Sequence, residues 1–406
     1  MSVFSNIDFN AAVDRVFDAY TKLIHLGSTK SKLGEQWTHL AAICSFSVDR
    51  GEITLLCMAT GTKCLGAKDI DHHGFRVNDS HAEVLCRRVF IKFLMDEIDK
   101  MLSQDDYESA YLIKCTVPAM QNIFEWRSNQ KLIMVLTHTP CGDASIFQKL
   151  DSPNNDDPPP CKTSKKDINR TGARSVIGQA ADPCLPGADY HCVGSFRTKP
   201  GRGDPTLSMS CSDKMAKWQI LGLQGSLLSH FITTPIRANF IVVTSEHYSE
   251  DSMKRALCYR NPAGSDYKLE IVNVRVKFVH GKPVNRDNLR PNPISLVWNK
   301  NMQRPEYLVN GYRQGANIKK LSFLAGRSDE KAQLALCSCV CRRKLSDKYL
   351  TLLEKSEEMT KIESSNYLHF KMKAEWYREK WRALRTFYKY WIADERKLSV
   401  QNFPIK

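Results

Sequence analysis

Three side chains that can bind a metal ion, and one carboxylate that can move protons, occur in this sequence in patterns that suggest chemistry. His81 and Glu83 are separated by a single residue, Cys141 follows a proline, and Cys211 lies much further along the chain. One imidazole and two thiolates leave the fourth position of a tetrahedral zinc ion open to water, and a nearby carboxylate can transfer that water's protons. We therefore predict hydrolysis at a zinc site, with His81, Cys141 and Cys211 as ligands and Glu83 as the base and then the acid.

The spacing of the two thiols departs from the usual zinc-deaminase signature. That signature is H-x-E followed by P-C-x-x-C, whereas the position three residues after Cys141 is Ala144. The second thiol must then come from a later segment, and Cys211, which opens a predicted helix, is the best candidate. A buried structural residue is the alternative for any one of these side chains alone, but their combination with Glu83 favours zinc.

Five segments carry a resemblance to a known family. In order they are Thr60 to Cys64, Asn78 to Arg88, His138 to Phe147, Arg197 to Lys199 and Ser208 to Ser229. They resemble the catalytic domain of the adenosine deaminases acting on RNA, and the match extends over nearly the whole chain. Because no residues remain for a double-stranded-RNA-binding module, the chain is most similar to the tRNA adenosine-37 deaminases of this family.

This resemblance implies a reaction and a fold. The expected reaction is hydrolysis of adenosine to inosine in a tRNA, at position 37 next to the anticodon of an alanine tRNA. The expected fold class is α/β, with a cytidine-deaminase-like core, a central mixed sheet flanked by helices, and a C-terminal extension that is mainly helical. One editase domain is expected over residues 1–406, with a core at about 10–245, an insertion at 151–172 and an extension at about 246–406.

The resemblance also implies roles for further residues. Thr62 and Lys63 correspond to positions that contact the target nucleotide, and Asp204 corresponds to the wedge of the base-flipping loop, where mRNA editors have a glutamate. Family members bury inositol hexakisphosphate beneath the active site. The matching ligand positions are Asn78, Arg87, Arg88, Ser208, Lys214, Lys217, Ser226, Lys331, Tyr367, Lys371, Tyr377 and Trp391. Lys199 and Lys214 would connect this anion to the zinc ligands through hydrogen bonds.

Composition limits the class of partner and compartment. The net charge of +15 on 406 residues favours association with polyanions such as RNA. The 14 cysteines are scattered through a long chain without a secretory segment, which predicts reduced thiols in the cytosol or nucleus. No apolar run is long enough to span a membrane, so we expect no membrane partner. Nothing in the sequence indicates DNA as a substrate or identifies a protein partner.

Periodicity predicts the elements that would position these side chains. Helices are predicted at 13–24, 79–93, 140–147, 214–231, 331–340 and 367–392, and strands at 40–48, 52–59, 131–137, 240–244 and 269–279. The segment 151–172 is rich in Pro, Asp and Asn and is predicted to be a surface insertion.

Three patterns leave alternatives open. The last predicted helix is basic with interleaved aromatic residues, which is typical either of an RNA- or membrane-binding segment or of core packing with a charged outer face. Cys337, Cys339 and Cys341 could be metal ligands, but their spacing favours structural thiols. A catalytically silent RNA-binding protein and a double-stranded-RNA editor are the alternative functions. The presence of Glu83 counts against the first.

Overall fold

The computed structural model describes most of the chain. The described residues are 7–25, 36–117, 120–148, 168–200, 204–262, 268–282, 289–315, 334, 336–356 and 367–392. The predicted insertion at 151–172 therefore lies mostly outside the described residues, as does Lys331. Of the helix predicted at 331–340, residues 334 and 336 are helical, whereas 337–340 are not, which corrects that prediction.

An eight-stranded mixed sheet forms the centre of the described structure. In spatial order its strands are β14 (Glu270–Asn273), β13 (Phe240–Val243), β8 (Gln130–Leu136), β2 (Leu40–Ser47), β3 (Glu52–Thr60), β16 (Ile294–Asn299), β17 (Glu306–Val309) and β18 (Tyr312–Arg313). The first three run parallel, and every later neighbouring pair is antiparallel. The predicted α/β class with a central mixed sheet is confirmed.

Five two-stranded pairs of the described residues are separate from this sheet. They are β1 (Gln36–Trp37) with β15 (Arg290–Pro291), β4 (Thr62–Cys64) with β5 (Asp79–His81), β6 (Leu112–Val117) with β7 (Met120–Trp126), β9 (Phe147–Gln148) with β10 (Ile168–Asn169), and β11 (Arg174–Ser175) with β12 (Arg197–Thr198). The β4–β5 pair directly precedes the longest helix. It thereby brings two segments with predicted functional residues side by side.

The helices cover both faces of the sheet. They are α1 (Phe9–His25), α2 (Ala82–Ser103), α3 (Cys211–Leu221), α4 (Gly225–Leu228), α5 (Glu250–Leu257), α6 (Arg342–Lys355), α7 (Tyr367–Lys373) and α8 (Glu375–Arg385). Single 3-10 turns lie at Ala67–Asp69, Asp143–Ser145 and Gly187–Tyr190. None of the described helices combines the length and apolarity needed to cross a bilayer.

Apolar spacing explains which face each long helix buries. In α1, Val13, Val16 and Tyr20 lie three and four residues apart and pack on one side of the sheet, against β3 and β8. In α2, Val89 and Phe93 repeat the same spacing and pack on the opposite side, with α6 beyond them. The sheet is therefore buried on both faces, as its nearly continuous apolar central strands require.

The structure corrects several predicted boundaries. The helix predicted at 214–231 ends at Leu221, because Gly222 adopts φ +83°. The segment predicted as a helix at 140–147 is one 3-10 turn, and Cys141 precedes it. The helix predicted at 367–392 is interrupted at Ala374, and the strand predicted at 269–279 is limited to β14. His81, and not Asn78 or Asp79, is the residue before the first turn of α2.

Two open alternatives can be compared with the described residues. Cys337 and Cys341 are fully buried in the main hydrophobic cluster, and the Cys341 sulfur accepts a hydrogen bond from the Lys344 amide at the start of α6. They do not join any described cluster of metal-binding groups, which supports structural thiols. In α8, Leu384 and Trp381 pack into a third apolar cluster while Lys380 is exposed, which is the core-packing arrangement.

Gly61 allows the close approach that joins β3, β5 and the start of α2. Its carbonyl accepts a hydrogen bond from the Ala82 amide at 3.0 Å. A Cβ atom at this position would lie 2.0 Å from the Ser80 carbonyl oxygen and 2.6 Å from Ser295 Oγ. Only a residue without a Cβ fits between these two neighbours, and His81 is placed by the same contact.

We expect Gly61→Ala to lower the free energy of unfolding by at least about 2 kcal/mol, because the backbone of Ser80 cannot move without displacing His81. Urea denaturation of the variant beside the wild-type protein measures this. Gly51→Ala is the matched control, since Gly51 has φ +65° with open space around it and should cost only about 1 kcal/mol of left-handed strain. Equal losses in the two variants would contradict the steric explanation.

Candidate metal centre and the residues around it

The structure brings His81, Cys141 and Cys211 together. Their ligand atoms all lie within 4.8 Å of one another. The Sγ atoms of Cys141 and Cys211 lie 3.8 and 3.6 Å from His81 Nδ1. Zinc–sulfur and zinc–nitrogen bonds of ordinary length, at a tetrahedral angle, place these atoms about 3.6 Å apart. The three side chains are therefore compatible with one zinc ion that keeps an open fourth position.

Local backbone structure places His81. It ends β5, which pairs with β4 so that His81 lies opposite Thr62. The Asp79 carboxylate accepts a hydrogen bond from the His81 amide at 3.1 Å, which makes a turn typical of an Asp two residues before its donor. The imidazole is thus held at the first residue before α2, where the backbone is fixed from both sides.

Hydrogen bonds join the two thiol-bearing segments directly. Gly142 adopts φ +107°, and a Cβ on it would lie 2.3 Å from Ser210 Oγ, so the Gly142 backbone packs directly against the Ser210 side chain. The Ser212 amide donates to the Cys141 carbonyl at 3.0 Å, and Ser212 Oγ donates to the same carbonyl at 2.9 Å. Cys211 opens α3 as predicted, with Ser210 as its N-cap.

Arg260 connects the same two segments through buried charges. Asp143 and Asp213 each lie two residues after a thiol, and they are 1% and 0% exposed. Arg260 Nη2 lies 3.2 Å from Asp143 Oδ2, and Arg260 Nη1 contacts Asp213 Oδ1. Arg255 adds a second contact to Asp143 at 3.1 Å. One guanidinium thus fixes the spacing between the Cys141 and Cys211 segments, a role that the sequence analysis did not identify.

The pKa values of the Cys141 and Cys211 thiols depend on each other. A hydrogen bond from Cys211 holds the pKa of the Cys141 thiol well below its usual value. Burial raises the pKa of Cys211, and the neighbouring Cys141 and Glu83 add to that rise. Binding of a divalent ion would release the shared proton, because both sulfurs bind metal as thiolates.

Glu83 lies beside these ligands in the first turn of α2. Its side chain is 8% exposed, and its charge acts on Cys211, so the carboxylate is close to that sulfur. Among the described residues no cation pairs with it. A buried carboxylate without an ion-pair partner, next to three metal ligands, is suited to exchange protons at the open position of the metal.

Asp79 links Lys199 and Lys214, the two lysines predicted to form a relay. Lys199 Nζ lies 2.8 Å from Asp79 Oδ1, Lys214 Nζ lies 2.5 Å from Oδ2, and Ser208 Oγ donates to Oδ2 at 2.6 Å. Burial opposes ionisation of Asp79, but the two lysines outweigh it and hold its pKa well below the usual range. The sequence analysis omitted Asp79, although its position two residues before His81 is a recognisable turn signal.

The predicted substrate residues lie at the same edge. Thr62 and Lys63 are in β4, opposite His81 and Ser80, and the Thr62 hydroxyl is buried without a hydrogen-bond partner among the described residues. Asp204 Oδ2 accepts a hydrogen bond from the Lys68 amide at 2.8 Å and packs against Gly66. In this structure the Asp204 carboxylate therefore fastens its loop to the Ala67–Asp69 turn.

A cluster of buried cations lies among the predicted anion ligands. Burial lowers the pKa of Arg87 and of Lys371, and it lowers that of Arg88 to about 10. Arg342, which the sequence analysis missed, belongs to the cluster and has its pKa lowered by the same cause. Burial alone would raise the pKa of Tyr367, yet the charges of these four side chains lower it. The positive potential is therefore concentrated at one place in the interior.

Unsatisfied polar atoms indicate what this cluster would bind. The Nε atom of Arg87 and Nη1 of Arg342 are buried donors without a hydrogen-bond partner among the described residues. Within the same residues no carboxylate forms an ion pair with Arg87, Arg88 or Arg342. Buried charges of one sign are costly unless an opposite charge and hydrogen bonds compensate them. The cluster therefore fits a multiply charged anion.

The other predicted anion ligands have varied surroundings. Tyr377 acts electrostatically on Arg87, and Ser226 lies in α4 beside Gly225, whose position is close to the Arg87 guanidinium. Lys217 Nζ lies 4.6 Å from the ring centre of Trp381 and 4.5 Å from that of Trp391. Ser208 and Lys214 contact Asp79, as described above. Lys331 lies outside the described residues.

Comparisons with known proteins identify a matching family model and several relatives. The family model of the adenosine-deaminase (editase) domain matches residues 57–395. The tRNA-specific adenosine deaminase 1 of Drosophila melanogaster is 31% identical over 74% of this chain and 74% of its own length. The protein of that name from Mus musculus is 28% identical over 88% of this chain and 92% of its own length. The double-stranded RNA-specific editase Adar of Drosophila melanogaster is 32% identical over 52% of this chain but only 29% of its own length.

We expect Arg260→Ala to lower the free energy of unfolding by about 3–5 kcal/mol, because it leaves the buried Asp213 carboxylate without a cation, whereas Asp143 keeps Arg255. Bound zinc should also be lost faster to a chelator, since no other described side chain forms an ion pair with both aspartates. Arg260→Lys should lie between wild type and Arg260→Ala, because a single ammonium cannot reproduce the two-sided contact. Zinc release and urea denaturation measure the two effects.

Lys254→Ala is the control for this experiment, because it removes an exposed ion pair with Glu250 and should match wild type in both assays. An Arg260→Lys variant that is destabilised but releases zinc at the wild-type rate would contradict the positioning role of Arg260.

Proposed function

The chain belongs to the adenosine-deaminase (editase) domain family, and on that premise we propose that it hydrolyses adenosine to inosine in tRNA. The proposed site is adenosine 37, next to the anticodon of an alanine tRNA. The observation that carries the proposal is the convergence of His81, Cys141 and Cys211, with Glu83 two residues after His81 in the first turn of α2. The extent of the match to tRNA-specific deaminases, compared with the partial match to a double-stranded RNA editase, favours tRNA over duplex RNA.

The proposed chemistry follows from the side chains at the site. A zinc ion held by the three ligands would supply the Lewis acidity that makes a water molecule acidic near neutral pH. Glu83 would take one proton from water and pass it to N1 of the purine ring as hydroxide adds at C6. It would then move the proton of that hydroxyl to the amino group, which leaves as ammonia. Lys199, which is buried and positively charged beside both thiols, stabilises their negative charge.

The substrate contacts are proposed from position. Thr62 and Lys63 lie in the strand opposite His81, where the target nucleotide must enter. Asp204 is proposed to act at the flipping loop, and its contact with Lys68 would have to break for it to reach into the RNA. Bases in an anticodon loop are already largely unpaired, so a short acidic side chain suffices there. The net charge of +15 supports attraction of the phosphate backbone.

We also propose that the buried cation cluster holds inositol hexakisphosphate. The cluster combines Arg87, Arg88, Arg342 and Lys371 with the hydroxyl groups of Tyr367 and Tyr377. Six phosphate groups can satisfy many such donors at once, as the unpartnered Arg87 Nε and Arg342 Nη1 require. Lys214, Asp79 and Lys199 extend from Ser208 to the two thiols and would connect the anion to the metal ligands.

We propose that the described chain acts as one functional unit. Strands from residues after 245 lie at both ends of the central sheet, and α7 and α8 pack against α4 and α3. The described cysteines are all free, which agrees with a cytosolic or nuclear protein. We propose that no separate RNA-binding domain is needed for this activity.

We expect Glu83→Gln to lower the rate of inosine formation in an alanine-tRNA transcript by at least about 100-fold, because the amide cannot exchange protons. Zinc content should not change, since Glu83 is not a ligand. Glu379→Gln, on the exposed side of α8, should retain full activity. Equal activity in Glu83→Gln and wild type, or no inosine from the wild-type protein on any tRNA, would defeat the proposal. Preferential editing of duplex RNA would favour the alternative editor.

We expect the purified protein to release one inositol hexakisphosphate per chain on denaturation, measured as about six phosphates per chain after acid hydrolysis of the released ligand, because this anion would compensate the buried cations. Arg342→Ala and Lys371→Ala should retain less phosphate and unfold at lower temperature. Lys380→Ala, which removes an exposed charge on α8, should behave as wild type. A stably folded wild-type protein without phosphate would contradict the assignment.

A further inference from the structure

A row of three half-buried rings lies at the sheet edge next to the metal ligands. The ring centres of Trp37 and His39 are 4.9 Å apart, and those of His39 and His138 are 4.6 Å apart. Lys282 Nζ lies 5.9 Å from the centre of the Trp37 ring, at the far end of the row. We call Trp37, His39 and His138 the ring row. None of its members is required by the zinc chemistry.

Strand pairing explains why the row ends beside the metal centre. His39 directly precedes β2, and His138 follows the end of β8, its antiparallel neighbour. The Leu40 amide donates to Thr137 Oγ1 at 2.8 Å, and the Thr137 amide donates to the Leu40 carbonyl at 3.0 Å, which holds the two strand ends together. The chain then reaches Cys141 within three residues. This is also the edge where the parallel strands β8 and β13 end, and such edges commonly form ligand sites.

The rings of the row are oriented in advance. Trp37 Nε1 donates to the Leu289 carbonyl at 3.0 Å, and His138 Nδ1 lies 2.9 Å from the Thr139 carbonyl. Burial, followed by the nearby His138 and His81, lowers the pKa of His39 well below its usual value, so its ring is neutral near neutral pH. Fixed neutral rings present flat stacking surfaces and lose little conformational freedom when a ligand binds.

The row is not part of the protein core. Trp37 belongs to none of the three apolar clusters formed by the described residues, and all three rings retain some exposure. A tryptophan that lies outside the core, in tilted contact with a histidine and beside an exposed lysine, is a combination that suits a nucleotide. The base stacks on the rings, and the phosphate meets the cation.

We propose that the ring row binds the base of a nucleotide adjacent to the target adenosine, with Lys282 at the backbone phosphate. This inference rests on the proposed RNA deaminase function and adds a second base-binding position to it. The target adenine must lie over the metal, and the row extends from His138, three residues before Cys141, to Trp37 and Lys282. A nucleotide next to the target would lie along this row. Stacking would therefore set the register of the RNA strand, so that the correct adenosine reaches Glu83.

The proposed stacking is tested by a double-mutant cycle, in which one change removes a protein ring and the other removes an RNA base. The substrates are an anticodon stem–loop RNA and two versions with an abasic site, at the nucleotide on the 5′ or the 3′ side of the target. The proteins are wild type, His39→Ala, Trp37→Ala and His39→Phe. Inosine formation under single-turnover conditions and RNA binding by fluorescence anisotropy are measured for every combination.

On intact RNA we expect His39→Ala and Trp37→Ala to weaken binding about 5- to 150-fold, the usual range for the loss of one stacked base. His39→Phe should recover most of the loss, because an aromatic ring is what the base requires. With one of the two abasic RNAs, wild type should fall to the level of the variants, and His39→Ala should add little further loss. Tyr259→Ala removes a ring that is 72% exposed elsewhere and should have no effect.

The proposal would be overturned if the binding loss caused by His39→Ala simply added to the loss caused by each of the two abasic sites. The His39 ring would then affect binding without contacting either base. If His39→Ala fails to fold, Trp37→Ala and Lys282→Ala carry the same cycle. If the wild-type protein forms no inosine on intact RNA, the proposed function has failed. The ring-row proposal is still tested in that case, because RNA binding is measured independently of inosine formation.

Discussion

The contact of Arg260 with two buried carboxylates is the interaction on which the candidate site depends. Asp143 and Asp213 sit on segments that are distant in sequence, and each segment carries one thiol. Isolated in an apolar interior, the two aspartates would repel each other. The Arg260 guanidinium contacts both carboxylates, and this contact holds Cys141 and Cys211 at metal-binding distance. Gly142 and Ser212 then adjust the approach of the two backbones.

The central sheet shows that the second half of the chain is integral to the first. β14 continues the parallel edge beyond β13, while β16, β17 and β18 extend the opposite edge beyond β3. Asn299, at the end of β16, is completely buried. An extension that contributes strands to both ends of a sheet cannot be removed without opening the core. The expectation of a mainly helical extension therefore captured α6, α7 and α8 but not this sharing of strands.

The sequence predicted those features that depend on few neighbouring residues. His81, Glu83, Cys141 and Cys211 could be read from residue type and local context, and the apolar spacing of α1 and the strands β2, β3 and β8 was clear. Partners brought together only by folding could not be read, as with Asp79 between two lysines and Arg342 among the buried cations. Helix ends were also missed where one backbone angle decided them, as at Gly222.

The buried cations impose an order on how the chain matures. α2 supplies Arg87 and Arg88 early in synthesis, Arg342 follows at the start of α6, and α7, with Tyr367 and Lys371, emerges later still. Closing these helices over like charges is unfavourable until a counter-charge is enclosed. On the proposal that an anion fills this cluster, the final packing step of the newly made polypeptide would wait for that anion, and the yield of mature protein would depend on its concentration in the host cell.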